Sequence, residues 1–402
     1  MVVINPSALP AKSRSKVFAV LLLASVSVFA GVLPEERVDI LEHRYEGGGI
    51  QVSGPSILVR KNVGSAVSVS ANYYVDMVST ASIDVKSSAS RYSEKRTEKS
   101  LGVDYLHDRT TTSLGYTTSD ENDYHAKTYS LGIAQSFFGD LTTLGLGLSF
   151  GQDVVGRNIK GEPDPGFHLD KDRRKYTLSL SQILTKNLIA DVNIDSSSEQ
   201  CMNLQPGESC LNNPYRQVRY ISPTGLGFQA EKYPLTHNSD AIGLGAIYHL
   251  PFRASIRGDV RHFSDSWGVT AKNAEVRYTQ EVYKDVLVEL RYRLYDQTAA
   301  DFYSDLFPFK DAQNFLARDK ELSPFSDTSL GLGVSYKMPW GLPGIEKSTA
   351  NFYWDHMQFD YKDFRDYKGF SHSVPTGGYI VGEEPLYSFD ADIFRFYLSF
   401  WF

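Results

Sequence analysis

Apolar and polar residues alternate along most of the chain, and this alternation constrains the fold more than any other feature. A clear example runs from Val67 to Met77, where Val, Ala, Tyr and Met alternate with Ser, Asn, Tyr and Asp. The same alternation recurs at 143–150, 242–250 and 330–338. Successive side chains of a β-strand point to opposite faces, so the pattern predicts strands with one apolar and one polar face. An aromatic content of 13% and 31 Gly residues also favour strands and turns over a helical bundle.

The alternation by itself fits two kinds of all-β protein. In a soluble β-sandwich the polar face meets water, whereas in a membrane barrel the polar face lines the lumen and the apolar face meets lipid. Beyond residue 30, no uninterrupted apolar stretch approaches the length of about 18 residues that a membrane helix needs. A chain without such a helix crosses a membrane only as a closed barrel.

The first 30 residues have the composition of a secretory signal peptide. Lys12, Arg14 and Lys16 precede the apolar run Val17–Ala30, which is shorter than the roughly 20 residues of a membrane-spanning helix. Compact residues lie just before Gly31, so we expect cleavage after Ala30 and export of residues 31–402. The alternative is a buried helix at the start of a soluble domain.

In the last ten residues every second position is large and apolar, and the segment ends on an aromatic residue. The large apolar side chains on one face are Phe394, Phe396, Leu398, Phe400 and Phe402. An exposed edge strand of this kind invites aggregation, and closing it against the first strand in lipid removes that hazard. The segment resembles the C-terminal strand of bacterial outer-membrane barrels, which implies that the barrel-assembly machinery reads these residues. The alternative is a core strand of a periplasmic sandwich.

Short and long connectors alternate between the predicted strands. The short ones lie near 61–65, 107–109, 138–140, 185–187, 250–252, 283–285 and 338–347, and the long ones near 80–93, 155–173, 199–237, 299–327 and 361–388. Outer-membrane barrels show this asymmetry between short periplasmic turns and long outer loops. With a short hairpin at Gly47–Gly49, the spacing predicts about 16 strands, with about 14 as the fallback. Side chains alone cannot fill so wide a lumen, which is therefore aqueous or blocked by loops.

The two cysteines, Cys201 and Cys210, lie close together in one of the long connectors. In an exported chain, two thiols at this spacing predict a disulfide that staples the loop. Metal ligation is the alternative, but no paired His or second pair of Cys accompanies them.

Charged residues concentrate on the predicted inward face between 253 and 293. They are Arg253, Arg257, Asp259, Arg261, Glu275, Arg277, Glu281, Glu289, Arg291 and Arg293. A charge facing lipid near the midplane costs roughly 2–4 kcal/mol, so these side chains are expected in the lumen. We call them the charge ladder. Two roles remain open: a pore wall that favours anions, or cross-strand ion pairs that brace the barrel.

The segment 298–321 is rich in aromatic and oppositely charged residues. We expect it to fold over or into the lumen as a constriction, with Asp301, Asp305, Arg318 and Asp319 as its charged groups. The alternative is an ordinary packed surface loop. Acidic residues here and at 360–366 match no calcium-loop spacing, so no metal site is predicted, and no motif calls for a cofactor.

No established catalytic motif is present. Asp or Ser residues lie near His in three places: Asp104 with His107, His262 with Asp265 and Ser266, and Asp355 with His356. None has the G-x-S-x-G or H-E-x-x-H spacing. Acidic residues outnumber basic ones, 48 to 41, which argues against nucleic acid as a partner.

Several segments are similar to an uncharacterised family of bacterial outer-membrane barrels, known only as a domain of unknown function. They are Gly47–Gly49, Gly54–Lys61, Tyr73–Asp76, Thr298–Phe307 and Gln313–Glu321. The resemblance extends over almost all of 31–402. It implies a barrel in the outer membrane and provides no established catalytic or binding residue.

The sequence therefore predicts one domain at 31–402, a transmembrane antiparallel β-barrel in the bacterial outer membrane. Its expected function is a pore or loop-occluded channel for small hydrophilic solutes, with a preference for anions. The expected partners are outer-membrane lipid, the barrel-assembly machinery during insertion, and the solutes. Three alternatives remain: an outer-membrane hydrolase, a non-conducting barrel scaffold for a partner protein, and a soluble exported β-protein.

Overall fold

Strands account for nearly all the regular structure of the chain. A computed structural model describes residues 31–80, 92–159, 162–202, 208–339, 343–367 and 380–402. The expected signal peptide at 1–30 and most of the connector at 80–93 lie outside the described residues. Within the described ranges, no helix is long and apolar enough to cross a membrane.

The strands are β1 (Arg37–Gly47), β2 (Ile50–Val63), β3 (Val67–Thr80), β4 (Tyr92–His107), β5 (Thr110–Asp120), β6 (Tyr124–Phe137), β7 (Thr142–Ile159), β8 (Glu162–Thr185), β9 (Leu188–Met202), β10 (Gln217–Ser222), β11 (Gly225–Ala230), β12 (Thr236–Leu250), β13 (Ala254–Asp265), β14 (Thr270–Tyr283), β15 (Val286–Gln297), β16 (Phe325–Lys337), β17 (Lys347–Arg365) and β18 (Leu386–Trp401).

Sixteen of these strands form one closed antiparallel barrel, β1–β9 with β12–β18. Chain neighbours pair throughout, β9 pairs with β12, and β18 closes the barrel against β1 with Arg37 opposite Trp401. The remaining two strands, β10 and β11, form a separate hairpin inside the β9–β12 connection. The all-β fold and the count of about sixteen strands are thus confirmed.

The apolar face of the alternating strands points outward. On β7, Leu146 is 51% exposed while the inner-face residue Thr143, three positions earlier, is buried, and the same contrast recurs around the barrel. The outer belt includes Leu101, Leu114, Leu244, Val276, Leu290 and Leu330, all exposed. Soluble monomers rarely expose an apolar surface that encircles the molecule, so the belt argues against the soluble alternative.

The two ends of the barrel differ in the length of their connections. At the end that holds Arg37 and Trp401, here called the terminal end, the turns are short, as at 64–66, 108–109 and 186–187. Gly64 adopts φ +67° in the first of these, a conformation that favours glycine. At the opposite end, the loop end, the long connections are 203–235, 298–324 and 366–385. Loops were predicted at 199–237, 299–327 and 361–388. The neighbouring strands extend a few residues into each of these ranges.

The prediction of a long connector at 155–173 was wrong. There β7 and β8 continue as a two-stranded ribbon, which extends past the ends of β6 at Tyr124 and of β9 at Met202. The segment was assigned to a loop for its Asp, Pro and Gly content, but proline is tolerated on an edge where its missing N–H faces away from a partner. An ion pair of 2.5 Å between Arg157 Nη2 and Asp164 Oδ2 strengthens the ribbon. The short hairpin expected at Gly47–Gly49 is confirmed.

Candidate functional site: a charged lumen beneath a loop cap

Three arginines of the charge ladder lie side by side on the inner face. Arg257 on β13 is opposite Arg277 on β14, which is opposite Arg291 on β15. In the adjacent row, Asp259 is opposite Glu275, and Glu275 is opposite Arg293. Like charges in direct lateral register repel each other unless carboxylates lie close by.

Carboxylates from neighbouring rows and strands neutralise each of the three arginines. Arg257 Nη2 lies 2.6 Å from Asp259 Oδ1 and 3.0 Å from Asp191 Oδ1. Arg277 Nη2 lies 2.5 Å from Glu275 Oε1, and its Nε lies 3.6 Å from Glu289 Oε1.

The third arginine shares its carboxylate with the last strand of the barrel. Arg291 forms an ion pair with Asp355 on β17, and Arg395 Nη2 on β18 lies 2.6 Å from the other oxygen of the same carboxylate. Arg261 and Arg293 pair in the same manner with Asp195 at 3.1 Å and Asp327 at 2.7 Å. The ladder therefore spans from β9 to β18 as a network of ion pairs.

Two members of the predicted ladder lie apart from this network. Arg253 belongs to the turn before β13, at φ +58°, and its side chain is 73% exposed. It pairs with Glu281 at 3.2 Å near the terminal end. Its assignment to the lumen wall was wrong, because the strand begins one residue later than the pattern suggested.

The inner wall becomes apolar and buried towards the loop end. We call this ring the collar; it comprises Tyr45, Val52, Val78, Tyr124, Leu169, Phe263, Tyr295, Phe325, Phe359 and Ile393. In an empty barrel of this width such side chains would face water. Their burial shows that loop residues fill this end of the lumen.

The loops that fill this end of the lumen form the cap, which is defined here as residues 208–235, 298–324 and 380–385. Its apolar centre is built from Tyr233, Trp267 and Phe302, whose ring centroids lie 5.3–5.4 Å apart in edge-to-face contacts. Trp267 comes from the β13–β14 turn, so the wall and the cap share one core. These side chains form a continuous cluster with the collar.

A buried ion cluster joins the three segments of the cap. Arg219 on β10 contacts Glu384, with Nη1 to Oε1 at 2.6 Å, and also pairs with Asp305. Arg318 Nη2 lies 2.8 Å from Asp305 Oδ1. The backbone N–H of Arg365, at the end of β17, donates to the same oxygen at 3.2 Å.

Burial and pairing act in opposite directions on the titration of this cluster. Burial alone favours the neutral form of Glu384, but the hydrogen bond and charge of Arg219 outweigh it, so the pKa of Glu384 lies below its ordinary value of 4.5. Burial alone would lower the pKa of Arg219, and the acceptors Glu384 and Asp305 raise it instead. Both groups are therefore charged at neutral pH.

The segment 298–321 brings two of its four predicted residues together. Asp305 and Arg318 belong to the ion cluster, and both are buried. Asp319 pairs instead with Arg216 and caps a short 3-10 turn at Lys320–Leu322 by accepting from Glu321 N at 2.9 Å. Asp301 lies elsewhere, beside Gly268, where its backbone N–H donates to Trp267 O at 2.8 Å. Within this segment, residues 316–320 and most of 300–307 are buried, whereas 308–315 are mostly exposed.

None of the three His-containing groups forms a catalytic arrangement. Asp104 faces Arg60 at the inner wall, whereas His107 is exposed. Asp265 is 2.9 Å from His237 rather than bonded to His262. Asp355 binds the two arginines described above, and His356 pairs with Asp392 at 3.1 Å.

The predicted disulfide between Cys201 and Cys210 is confirmed, with Cα atoms 5.5 Å apart. Both cysteines are buried. The bond ties the end of β9 to the start of the cap.

The apolar residues at the C-terminus lie on β18 as the alternation requires. Phe394, Phe396, Leu398 and Phe400 share the outward parity, and Arg395 and Ser399 point inward. Phe402 follows the strand, with Lys61 Nζ 4.7 Å from its ring centroid.

The sixteen-stranded barrel with its apolar outer belt is of the type found in bacterial outer-membrane proteins. The chain belongs to the family "Protein of unknown function (DUF3570)", whose model matches residues 85–358, more than half of its length. The match includes the similar segment at 298–321 and begins after the segments at 47–76. No curated protein matches the chain significantly in sequence.

Solved structures with a similar fold are distant. A bacterial polysaccharide outer-membrane secretin is 7% identical, with 93% of this chain and 99% of that chain covered and a TM-score of 0.49. The siderophore receptor PirA from Pseudomonas aeruginosa is 8% identical, with 83% of this chain covered and a TM-score of 0.43; this chain spans only 60% of that receptor. Pseudomonas aeruginosa OccK2 (OpdF), solved with glucuronate, is 10% identical, with 92% and 99% covered and a TM-score of 0.40.

Proposed function

We propose that the protein is an integral outer-membrane barrel whose lumen is a loop-occluded channel for small hydrophilic solutes. The apolar outer belt supports insertion into outer-membrane lipid. The outward aromatic residues of β18 fit a signal for the barrel-assembly machinery during insertion. Export by a signal peptide cleaved after Ala30 belongs to the same proposal.

The observation that carries this function is the buried contact of Arg219 with Asp305 and Glu384. It holds three cap segments together over a collar of buried apolar side chains. Below the collar, the inner wall carries half-buried charged side chains such as Arg257 and Asp191, which need water or partners. A charged inner wall that is closed at one end by packed loops is the arrangement expected of an occluded channel.

The charge ladder is proposed to brace the barrel rather than to select anions. Each central arginine is within ion-pair distance of at least one carboxylate, so its field in the lumen is largely cancelled. A brace predicts weak charge selectivity, whereas an anion-selective wall requires arginines without such partners.

Conductance in planar bilayers tests the channel. Purified wild-type protein is expected to be mostly closed, and Arg219→Gln is expected to open in steps because it breaks the contacts that tie Asp305 and Glu384 to β10. Lys232→Gln is the matched control, because this exposed lysine forms an ion pair with the exposed Asp311 at the surface of the cap. If Arg219→Gln inserts as a folded barrel and conducts no more than the wild type, the lumen is not a channel and the scaffold alternative is favoured.

A further inference from the structure

We propose that Glu94, Glu121 and Asp123 form a binding site for a divalent cation, with Ca²⁺ as the ion that fits best. Glu94 lies near the start of β4, and Glu121 and Asp123 lie in the connection between β5 and β6. All three are at the loop end. The site lies at the barrel rim, apart from the ion cluster of the cap, and does not depend on the channel proposal.

The three side chains have the spacing that one ion requires. Each offers a carboxylate oxygen, and these oxygens all lie within 4.8 Å of one another. Ca²⁺ binds oxygens at about 2.3–2.6 Å, so ligands on opposite sides of one ion are about 5 Å apart. A single Ca²⁺ between the three carboxylates therefore reaches all of them without a change of backbone.

The neighbouring guanidinium of Arg96 offsets the charge of Glu121 only weakly. Arg96 Nε lies 4.0 Å from Glu121 Oε1, beyond hydrogen-bond distance. The same guanidinium is 2.6 Å from Glu98 and 3.6 Å from Asp76, so its charge is shared among several carboxylates. Buried like charges at this spacing raise each other's energy unless a cation or protons neutralise them.

One carboxylate oxygen of Glu121 lacks a hydrogen-bond partner among the described residues. Glu121 is buried, its side chain is only 1% exposed, and no described residue forms a hydrogen bond with its Oε2. A buried carboxylate oxygen is normally hydrogen-bonded or coordinated to a metal. This oxygen is an independent indication that a ligand completes the site.

The position of Asp123 is fixed by strand β7 and by the cap. The Tyr215 hydroxyl donates to Asp123 Oδ2 at 2.9 Å and accepts from Asn158 N at 2.5 Å. Gly156 N donates to Asp123 O at 2.8 Å. A cation held here would couple the rim of β4–β6 to the start of the cap through Tyr215.

Terbium luminescence tests the site directly. Tb³⁺ substitutes for Ca²⁺, and the Tyr215 ring, hydrogen-bonded to one of the ligands, is positioned to sensitise its emission. Full-length barrel in detergent, stripped with EDTA, is expected to give saturable emission with one ion per chain. Ca²⁺ should displace Tb³⁺ at lower concentration than Mg²⁺, which demands stricter octahedral geometry.

Variants separate this site from other acidic residues. Glu121→Gln and Asp123→Asn are each expected to weaken Tb³⁺ affinity by about tenfold or more, because each removes a ligand charge. Asp120→Asn, one position away and exposed, is the matched control and should bind as the wild type does. Heat-dependent gel mobility shows which variants fold.

Three results would overturn the proposal: no saturable emission in the wild type, equal binding by folded Glu121→Gln and Asp120→Asn, or equal displacement by Mg²⁺ and Ca²⁺. If Glu121→Gln fails to fold, the proposal is tested by the Tb³⁺ affinity of Asp123→Asn and by the displacement of Tb³⁺ from the wild type. A second measurement is the thermal transition of the barrel, which Ca²⁺ should raise relative to EDTA in the wild type but not in Glu121→Gln. Neither measurement uses conductance, so failure of the site and failure of the channel remain distinguishable.

Discussion

Arg219 and Glu384 are 165 positions apart in the chain, yet Arg219 Nη1 donates to Glu384 Oε1 at 2.6 Å. Arg219 is 1% exposed and also contacts Asp305, so one guanidinium holds segments from three separate loops. Removing one member of a buried ion pair leaves its partner charged and desolvated, which costs more than exchanging the whole pair for apolar groups.

We expect Arg219→Gln to destabilise the cap by about 3–5 kcal/mol while leaving the sixteen-stranded sheet intact, because the buried Glu384 loses its ion-pair partner and Asp305 keeps only Arg318. Hydrogen exchange of amides at 208–235 measures this change. Lys232→Gln should alter exchange by less than about 1 kcal/mol, because its ion pair is exposed. Equal protection in both variants would contradict the assigned role of Arg219.

Acidification should loosen the cap through Glu384. Its pKa is lower in the folded protein than the ordinary 4.5, so the contact with Arg219 contributes stability that is fully present above pH 4.5. That contribution is lost as the pH falls below 4.5 and through the folded pKa.

The measurement is cap proteolysis as a function of pH. The wild type should become more susceptible below pH 4.5, and Glu384→Gln should be susceptible at neutral pH with a smaller further change on acidification. A wild-type and a Glu384→Gln profile of identical shape would show that another group controls the transition.

Arg291→Ala should weaken the barrel because Asp355 then keeps only Arg395. We expect a loss of about 1–3 kcal/mol in urea unfolding in lipid vesicles, since Asp355 is buried and half of its ion pairing disappears. Arg253→Ala, at an exposed turn, is the matched control and should change stability by less than about 1 kcal/mol.

The same ladder makes a prediction about selectivity. In a KCl gradient, any conductance of Arg219→Gln should reverse close to zero potential, because paired charges cancel in the lumen. A strong anion preference that disappears in the Arg291→Ala background would instead assign the ladder to solute selection.

Strands β2 and β3 approach each other closely at Gly54, and substitution of this residue tests that packing. A Cβ at this position would lie 2.0 Å from Val75 O, a backbone atom that cannot move aside easily. Gly54→Ala should therefore cost about 1–3 kcal/mol or more, seen as a lower heat-dependent gel transition. Gly258→Ala has nothing within 4 Å of the added methyl group and should behave as the wild type.

The faces of the barrel were predictable because the period of two is local. Leu146 and Thr143 are sorted to opposite faces by parity alone, and the same rule placed Arg257, Arg277 and Arg291 inside. Their partners were missed because pairing depends on register between strands. Asp355 and Arg395 do carry the inward parity on their strands, but their sequence positions do not reveal which arginine they meet.

The cap and the proposed cation site could not be predicted from local sequence patterns, for a different reason. Arg219 meets Glu384 only after the barrel has brought distant loops to one end, and no spacing rule encodes that encounter. Glu94 lies on β4 and Glu121 in the β5–β6 connection, and their spacing matches no calcium-loop pattern. The ribbon at 155–173 was predicted as a loop because its Asp, Pro and Gly content is typical of loops, although proline is also tolerated on an edge strand.

The collar imposes an order on the maturation of this protein. Its residues extend from Tyr45 on the first strand to Ile393 on the last, so the ring is complete only when β1 and β18 have met. The loops have no finished surface to dock on before that moment. The cap is therefore expected to pack only after the barrel has closed, so folding of the loops depends on the pairing of the first and last strands.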